Sequence, residues 1–219
     1  MEIPLFPLPN LVLFPHIVVP LHIFEERYKL MINNCIDHDE AFGLVLLRRG
    51  AESESEETIH RVGVTVRVTQ VERLENGRMN ILTEGESRFR IRRFTQREPY
   101  WKGSVDLLED DESHRSVESL YDQVAALYRE VSELAAEETE VALPESPCDL
   151  SYMVSYFLDI DSEDKQKLLE MTSAAERLRV LGTHLEETIR KFKHQLALQE
   201  IMTKVRGNGD LGKPGHPGT

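Results

Sequence analysis

The sequence has little cysteine and no long apolar run. Its 219 residues include two cysteines, Cys35 and Cys148, which lie far apart and form no Cys-x-x-Cys pair. A disulfide framework would need more cysteines in a chain of this length, so we expect two reduced, buried thiols. The longest apolar candidate, 11–23, is interrupted by prolines and histidines and is shorter than the roughly 18 residues that cross a bilayer. The sequence therefore predicts neither a disulfide-rich module nor a membrane protein.

The N-terminus also lacks the pattern of a secretory leader. It has no basic segment ahead of an apolar stretch, and its second residue is the acidic Glu2. A cytoplasmic location is the prediction that follows.

Motifs that carry common chemistries are missing as well. The sequence has no Gly-x-x-x-x-Gly-Lys-Ser/Thr phosphate loop, no Gly-x-Ser-x-Gly elbow and no His-Glu-x-x-His helix. His16 and His22 share a segment without a third metal ligand nearby. The acidic runs 52–57 and 109–112 lack the spacing of a calcium loop and are expected to be solvated. We predict no metal, no cofactor and no enzymatic activity, and catalysis by paired carboxylates is the alternative left open.

The charge is strongly negative and unevenly distributed. A formal net charge of −13 disfavours nucleic acid, because a polyanion is repelled by a net-negative surface. Residues 61–103 carry ten Arg or Lys against five Asp or Glu, whereas residues 104–163 carry two against seventeen. This asymmetry indicates two structural parts with different surfaces.

The first half of the chain has the patterns of short β-strands. Valines alternate with other residues from 62 to 69, which places them on one face of a strand. Asn76-Gly77 then supplies a hairpin turn, because both residues tolerate positive φ angles. The predicted strands are 3–6, 12–14, 17–21, 42–47, 62–69, 79–83 and 87–94, with a mobile acidic loop at 50–57. Their number and turns indicate a small antiparallel barrel or sandwich.

The second half is helical. Apolar residues recur at spacings of three and four there, as they also do in the segment 24–35 of the first half. The predicted later helices are 117–134, 150–158, 161–171 and 178–196. We therefore predict an α+β fold with a strand-rich part at 1–108, a helical part at 109–206 and a disordered tail at 207–219 that is too poor in apolar residues to fold.

Several motifs, taken in order, resemble one family. They are Ile3-Pro4-Leu5-Phe6-Pro7-Leu8 with Val12-Leu13-Phe14-Pro15, then Pro20-Leu21-His22-Ile23-Phe24-Glu25 with Arg27-Tyr28, Val62-Gly63-Val64, Asn76-Gly77-Arg78, Arg88-Phe89-Arg90-Ile91 and Lys165-Gln166-Lys167-Leu168-Leu169-Glu170. Their order and spacing over residues 1–196 resemble the N-terminal domain of Lon proteases, in the version found in stand-alone members.

The resemblance implies an architecture and a role. The family has an N-terminal PUA-like antiparallel β-barrel followed by a C-terminal helical bundle, and in Lon proteases this region helps to recognise protein substrates. In Lon proteases this domain is followed by an ATPase module and a Ser-Lys protease module. We expect no counterpart of either module in this sequence. The resemblance therefore implies a stand-alone module that binds proteins or unfolded peptide segments, as an adaptor in protein quality control, without ATPase or peptidase activity.

One candidate site is the constellation Phe24, Glu25, Arg27 and Tyr28. An aromatic pair and a charged pair could hold an extended peptide in a groove. The structural alternative is that Phe24 and Tyr28 dock the helix onto the strands while Glu25 and Arg27 cap it or pair with each other.

A second candidate is the basic stripe of Arg88, Arg90 and Arg92 on one strand face. It could bind acidic protein segments, it could be a plain solvated face, or it could bind RNA, although it lacks the exposed aromatics that RNA readers use for stacking. Trp101, the single tryptophan, is a partner anchor or a lid over the core. Protein recognition is the predicted function, and RNA binding through this stripe is the alternative.

Overall fold

The computed structural model describes residues 1–51, 53–111, 117–135 and 142–208, with the backbone alone at 200, 201 and 203–208. Six strands and five α-helices lie in this part of the chain. The strands are β1 (Glu2–Leu8), β2 (Val18–Ile23), β3 (Phe42–Leu47), β4 (Ile59–Arg73), β5 (Met79–Gln96) and β6 (Trp101–Leu107). The helices are α1 (Glu26–His38), α2 (Val117–Leu134), α3 (Pro147–Phe157), α4 (Ser162–Glu170) and α5 (Ala174–Asn208). The α+β fold class is confirmed.

The strands form one mixed sheet. Their order is β2-β5-β4-β3-β1-β6, and β5 pairs with β6 as well, so that five of the strands form a closed ring of pairings. The prediction of a wholly antiparallel arrangement was wrong in one place, because β1 runs parallel to β3. Parallel neighbours need a long crossover connection, and the segment between β1 and β3, which includes α1, provides it.

The hairpin at Asn76-Gly77 lies where the sequence predicted it. Both residues have positive φ angles, 60° and 68°. The strand after the turn is longer than predicted, because 79–83 and 87–94 belong to the single strand β5. Gly85 lies between them, and a Cβ there would come within 2.4 Å of the carbonyl oxygen of Phe14. A glycine is therefore needed where the chain before β2 crosses close to β5.

Strands and helices share one core. Its largest cluster contains Phe14, Val62 and Val64 from the strand half and Leu150 and Leu178 from the helical half. Full burial of such side chains stabilises the fold by roughly 1.5–3 kcal/mol each. The two halves that differ in charge are consequently joined by a continuous apolar interior.

Each predicted helix is present, but some ends differ: α3 begins at Pro147 rather than at 150, and α5 spans Ala174–Asn208 rather than 178–196. The Asp161 carboxylate accepts the backbone N–H of Asp164 at 2.9 Å and thereby caps α4. Helices α2 and α3 pack on α5, and α4 packs on β4. Both cysteines are buried thiols outside any disulfide, as expected. The predicted tail lies outside the described residues from 209 onwards, and α5 extends to Asn208. No helix in the described part is long and apolar enough to cross a membrane.

Candidate functional site

The carboxylate of Glu54 is the centre of a polar cluster. The Arg27 guanidinium grips it with two hydrogen bonds, from Nη2 to Oε1 at 2.6 Å and from Nη1 to Oε2 at 2.8 Å. The Tyr28 hydroxyl donates to Oε1 at 2.8 Å, and the Trp101 indole N–H donates to Oε2 at 2.8 Å. Each oxygen therefore accepts two donors, which satisfies the carboxylate almost completely.

Three elements position these donors. Arg27 and Tyr28 are successive residues in the first turn of α1, and Trp101 is the first residue of β6, where it pairs with Leu5 of β1. The Tyr28 ring is buried beneath the Arg27 guanidinium, whose central carbon lies 4.4 Å from the ring centroid. Charge-assisted hydrogen bonds of this kind contribute about 1.5–3 kcal/mol each, so the cluster fixes the start of α1 against the sheet.

The ionisation states suit these bonds. Burial raises the pKa of Tyr28 well above its ordinary value, and the hydrogen bond and negative charge of Glu54 raise it further. Burial is the largest single influence on the pKa of Arg27 and would lower it, but the hydrogen bonds to Glu54 and Glu25 and the neighbouring negative charge together outweigh burial, and the net shift is upwards. Tyr28 is therefore a neutral donor and Arg27 a cation throughout the physiological range.

The loop that carries Glu54 was predicted to be mobile and solvated, and this prediction was wrong for the Glu54 side chain, whereas Ser53 and Glu57 are exposed as expected. The Glu54 side chain is only 13% exposed. The Ser55 backbone N–H donates to the Thr58 hydroxyl at 2.7 Å, which closes the loop on itself. The donors for Glu54 lie 26 to 47 residues away along the chain, so no local pattern could reveal this anchoring.

A cleft of about 560 Å³ opens beside this cluster. Arg27, Glu54, Arg97, Glu98 and Trp101 are among its lining residues. The Arg97 guanidinium lies over the Trp101 ring at 5.6 Å from the centroid and pairs with Glu56 at 2.8 Å. Neither Glu54 nor Arg97 was predicted as a site residue, because nothing in the sequence around them sets them apart from solvated charges.

The candidate residues Phe24, Glu25, Arg27 and Tyr28 do not form one continuous binding surface. Tyr28 docks the helix in the core, and the Glu25 carboxylate accepts the Arg27 Nε–H at 2.9 Å, as in the structural alternative. Phe24 points outward with 60% of its surface exposed, and its ring stacks on His22 at 5.9 Å. Trp101 is only 5% exposed and covers the core, with its indole N–H turned to Glu54.

The basic stripe does not form as predicted, because Arg88 is buried. Its side chain donates to the carbonyl oxygens of Leu169 at 2.8 Å and Met171 at 2.6 Å, and its Nη2 lies 3.1 Å from the Asp110 carboxylate. The alternation of β5 turns Arg88 away from Phe89 as expected. The helical half covers that outer face, however, so the residue is not solvated.

Asp110 joins Arg88 to a second buried arginine. Arg177 of α5 pairs with the other carboxylate oxygen at 2.7 Å, and the Tyr152 hydroxyl also donates to Asp110. The prediction that the run 109–112 is solvated was therefore wrong for Asp110. Of the stripe, Arg90 is exposed and Arg92 pairs with Asp106 on β6. This leaves no continuous row of three exposed arginines.

A different surface lies along β2, at the edge of the sheet. In the described part of the chain β2 pairs with β5 alone, so its outer edge carries no neighbouring strand. Val18 and Pro20 of β2, and Phe24 just beyond its end, are exposed beside this edge, with 49% of the Val18 surface in solvent. We call these three residues the edge strip.

No cluster of three or more potential metal ligands occurs within the described ranges.

Comparisons with known proteins place the chain in one family. The family model described as the ATP-dependent protease La (LON) substrate-binding domain matches residues 2–187. The chain is 27% identical over 217 residues to the Lon protease of Syntrophus aciditrophicus and 30% identical over 214 residues to Lon protease 2 of Herpetosiphon aurantiacus. Each alignment covers 93% of this chain and 26% of the relative, so the chain spans about a quarter of the length of these curated relatives.

Solved structures share the fold. The Lon N-terminal domain protein from Xanthomonas campestris superposes with a TM-score of 0.63 at 23% identity, covering 83% of this chain and 96% of that one. The N-terminal domain of the Mycobacterium avium complex Lon protease gives a TM-score of 0.63 at 20% identity, covering 85% and 98%. Since the family match spans most of the sequence, the chain belongs to the Lon substrate-binding domain family.

Proposed function

We propose that this chain is a protein-recognition module that binds exposed, extended apolar segments of other proteins, with no ATPase or peptidase chemistry of its own. A role as an adaptor in protein quality control, in the cytoplasm, fits this activity. The observation that carries the proposal is the edge strip of Val18, Pro20 and Phe24 along the open edge of β2. The family supports it, since its model describes a substrate-binding domain.

The edge strip offers both kinds of contact that an extended segment needs. An open strand edge provides backbone N–H and C=O groups, and alternate side chains provide an apolar face. Pro20 has no N–H to donate, and prolines in edge strands limit uncontrolled pairing between copies. The edge can thus bind a partner segment through side chains and a few backbone bonds without acting as a template for aggregation.

The finer architecture that we propose is a PUA-like β-barrel at 1–108 followed by a helical bundle at 109–206. The pairing of β5 with both β4 and β6 supports the first part, and the packing of α2 and α3 on α5 supports the second. Because the two parts share a core, we expect them to present their surfaces as one rigid unit.

RNA binding is the weaker candidate. It depended on a row of three arginines, of which Arg88 is buried and Arg92 is paired with Asp106. The net charge of −13 opposes it as well.

A matched pair of exposed phenylalanines tests the proposal. Phe24 and Phe157 are both 60% exposed, but Phe157 lies at the end of α3. We expect Phe24→Ser to weaken binding to an unfolded, carbamidomethylated model protein about fivefold, the equivalent of roughly 1 kcal/mol. Phe157→Ser should leave it unchanged. Titration calorimetry measures both, and equal effects of the two substitutions, or no binding by the unaltered chain, would contradict the proposal.

A further inference from the structure

We propose that the cleft beside Trp101 is a receptor for acidic segments of a partner protein, and that the chain's own residues 53–57 occupy it as an internal ligand. We call Arg27, Arg61, Arg97 and Trp101 the arginine cleft, and residues 53–57 the acidic segment. This surface and its carboxylate chemistry are distinct from the apolar edge strip, so the inference goes beyond the proposed function and does not depend on it.

Three arginines from separate parts of the fold converge on the acidic segment. Arg27 belongs to α1, Arg61 to β4, and Arg97 follows the end of β5. Arg27 pairs with Glu54 at 2.6 Å, while Arg97 and Arg61 approach Glu56 at 2.8 and 3.9 Å. The side chains of Arg27, Arg97 and Arg61 remain 38%, 68% and 40% exposed, respectively, so a partner can reach them. A ligand with closely spaced carboxylates matches this arrangement, as Glu54 and Glu56 do.

The pocket around Glu54 is built for a carboxylate in general. Two of its donors, the Tyr28 hydroxyl and the Trp101 indole N–H, belong to residues that are only 3% and 5% exposed. Buried donors without an acceptor are costly, about 1–3 kcal/mol each. An incoming Asp or Glu side chain that replaced Glu54 would satisfy the same donors, so the exchange leaves none of them unpaired.

The acidic segment can leave without opening the core. None of its side chains is buried, and it is attached mainly through the carboxylates of Glu54 and Glu56. Its backbone contacts are short-range, apart from one hydrogen bond from the Arg48 side chain to the Glu57 carbonyl oxygen at 2.9 Å. The cleft of about 560 Å³ beside Glu54 leaves room for a partner segment to enter.

Competition with the internal ligand sets the expected affinity. A tethered segment is present at an effective concentration in the millimolar range, so it masks the cleft from weak external ligands. Glu98 on the rim adds a negative charge that a partner's arginine or lysine can match. Removing the internal carboxylates should therefore increase the affinity for an acidic peptide rather than abolish it, which a purely structural role of Glu54 does not predict.

The test uses a peptide copy of the acidic segment, acetyl-Ser-Glu-Ser-Glu-Glu-amide. It is titrated into the full chain and into the Glu54→Ala/Glu56→Ala variant. Binding is followed by the fluorescence of Trp101, the only tryptophan, and independently by the anisotropy of a labelled peptide. We expect the variant to bind at least about tenfold more tightly than the unaltered chain. Affinity should fall when the salt concentration is raised from about 50 to about 200 mM.

Two controls define the site. In the same background, Arg97→Ala should weaken binding about fivefold, because it removes an exposed cation without disturbing the core. A peptide with glutamine in place of glutamate should not bind. If the folded double variant, checked by circular dichroism, gives no saturable anisotropy change, or binds the glutamine peptide equally well, the proposal is wrong. Phe24→Ser should not affect this assay, so its outcome is separate from that of the apolar binding test.

Discussion

At the scale of single residues, Asp110 connects the two halves of the chain. It accepts from Arg88 of β5 and Arg177 of α5, two guanidinium groups whose side chains are fully buried. The charges of such a group compensate one another only when all members are present, because the interior does not hydrate an unpaired cation. The cluster therefore specifies how the strands and helices meet.

Removal of the Asp110 carboxylate should destabilise the folded state. We expect Asp110→Asn to lower the free energy of unfolding by about 3 kcal/mol, because it leaves two buried arginines without a counter-charge. Asp106→Asn is the matched control, since its exposed pair with Arg92 contributes at most about 1 kcal/mol. Urea denaturation of both variants measures the difference, and similar losses would contradict this role for Asp110.

Residue-level predictions from the sequence depended on what covers each strand face. Phe89 and Ile91 are buried, on the strand face opposite to that of the arginines, as alternation along β5 requires. Arg88 was treated like Arg90 because both follow the same alternation. The difference between them is made by helical residues more than eighty positions later, which approach one and leave the other in solvent. Glu54 was missed because its hydrogen-bond donors also come from residues far away along the chain.

At the scale of elements, α4 is fastened to the strand half by Glu163. Its carboxylate accepts the backbone N–H of Arg49 at 3.0 Å and lies 3.2 Å from the buried His60 ring of β4. The backbone hydrogen bond from Arg49 is the main reason that the pKa of Glu163 lies below its ordinary value, and the neighbouring His60 lowers it further. The folded state thus favours the ionised carboxylate.

This preference has a defined pH dependence. A carboxyl group whose pKa is lowered by folding contributes stability above its unfolded pKa, and that contribution is lost as the pH falls through the folded pKa. We therefore expect Glu163→Gln to be less stable than the unaltered chain at pH 7 and to approach it in stability below the ordinary value of 4.5. Chemical denaturation at pH 7, 4 and 3 would reveal the trend, and a difference independent of pH would refute it.

Elements with a strong period were the most predictable. The spacing of apolar residues predicted all five helices, α1 to α5, because a helix that packs on one side has a buried residue every three to four positions. Strand pairing was less accessible. Nothing in the apolar runs of β1 and β3 shows that they lie side by side and parallel, since that depends on the path of the chain between them.

At the scale of the whole molecule, one core serves two surfaces of different charge. The cluster that joins Val64 to Leu178 makes separate unfolding of the halves costly. The uneven distribution of charge led us to predict two structural parts, but charge patterning carries no information about a shared interior. The family motifs indicated a shared interior indirectly, because the resemblance extended across both halves of the chain.

A single cooperative transition should follow. Leu178 is fully buried, and we expect Leu178→Ala to cost about 2–5 kcal/mol. Trp101 fluorescence, which reports on the strand half, and far-ultraviolet circular dichroism, dominated by the helices, should shift together to lower denaturant concentration. Helices that melted first, with the tryptophan signal unchanged, would show that the halves are independent.

The position of β1 between β3 and β6 has a consequence for synthesis on the ribosome. Among the described strands β1 precedes β6 by the whole strand half, so β1 cannot complete its pairing of Leu5 with Trp101 until β6 has been synthesised. Until then the backbone groups of β1 on that side have no partner, and the apolar residues beside it stay exposed to other nascent chains. Completion of the sheet is therefore delayed by the order of its strands along the chain, so that during synthesis β1 resembles the unfolded segments that we propose the chain binds.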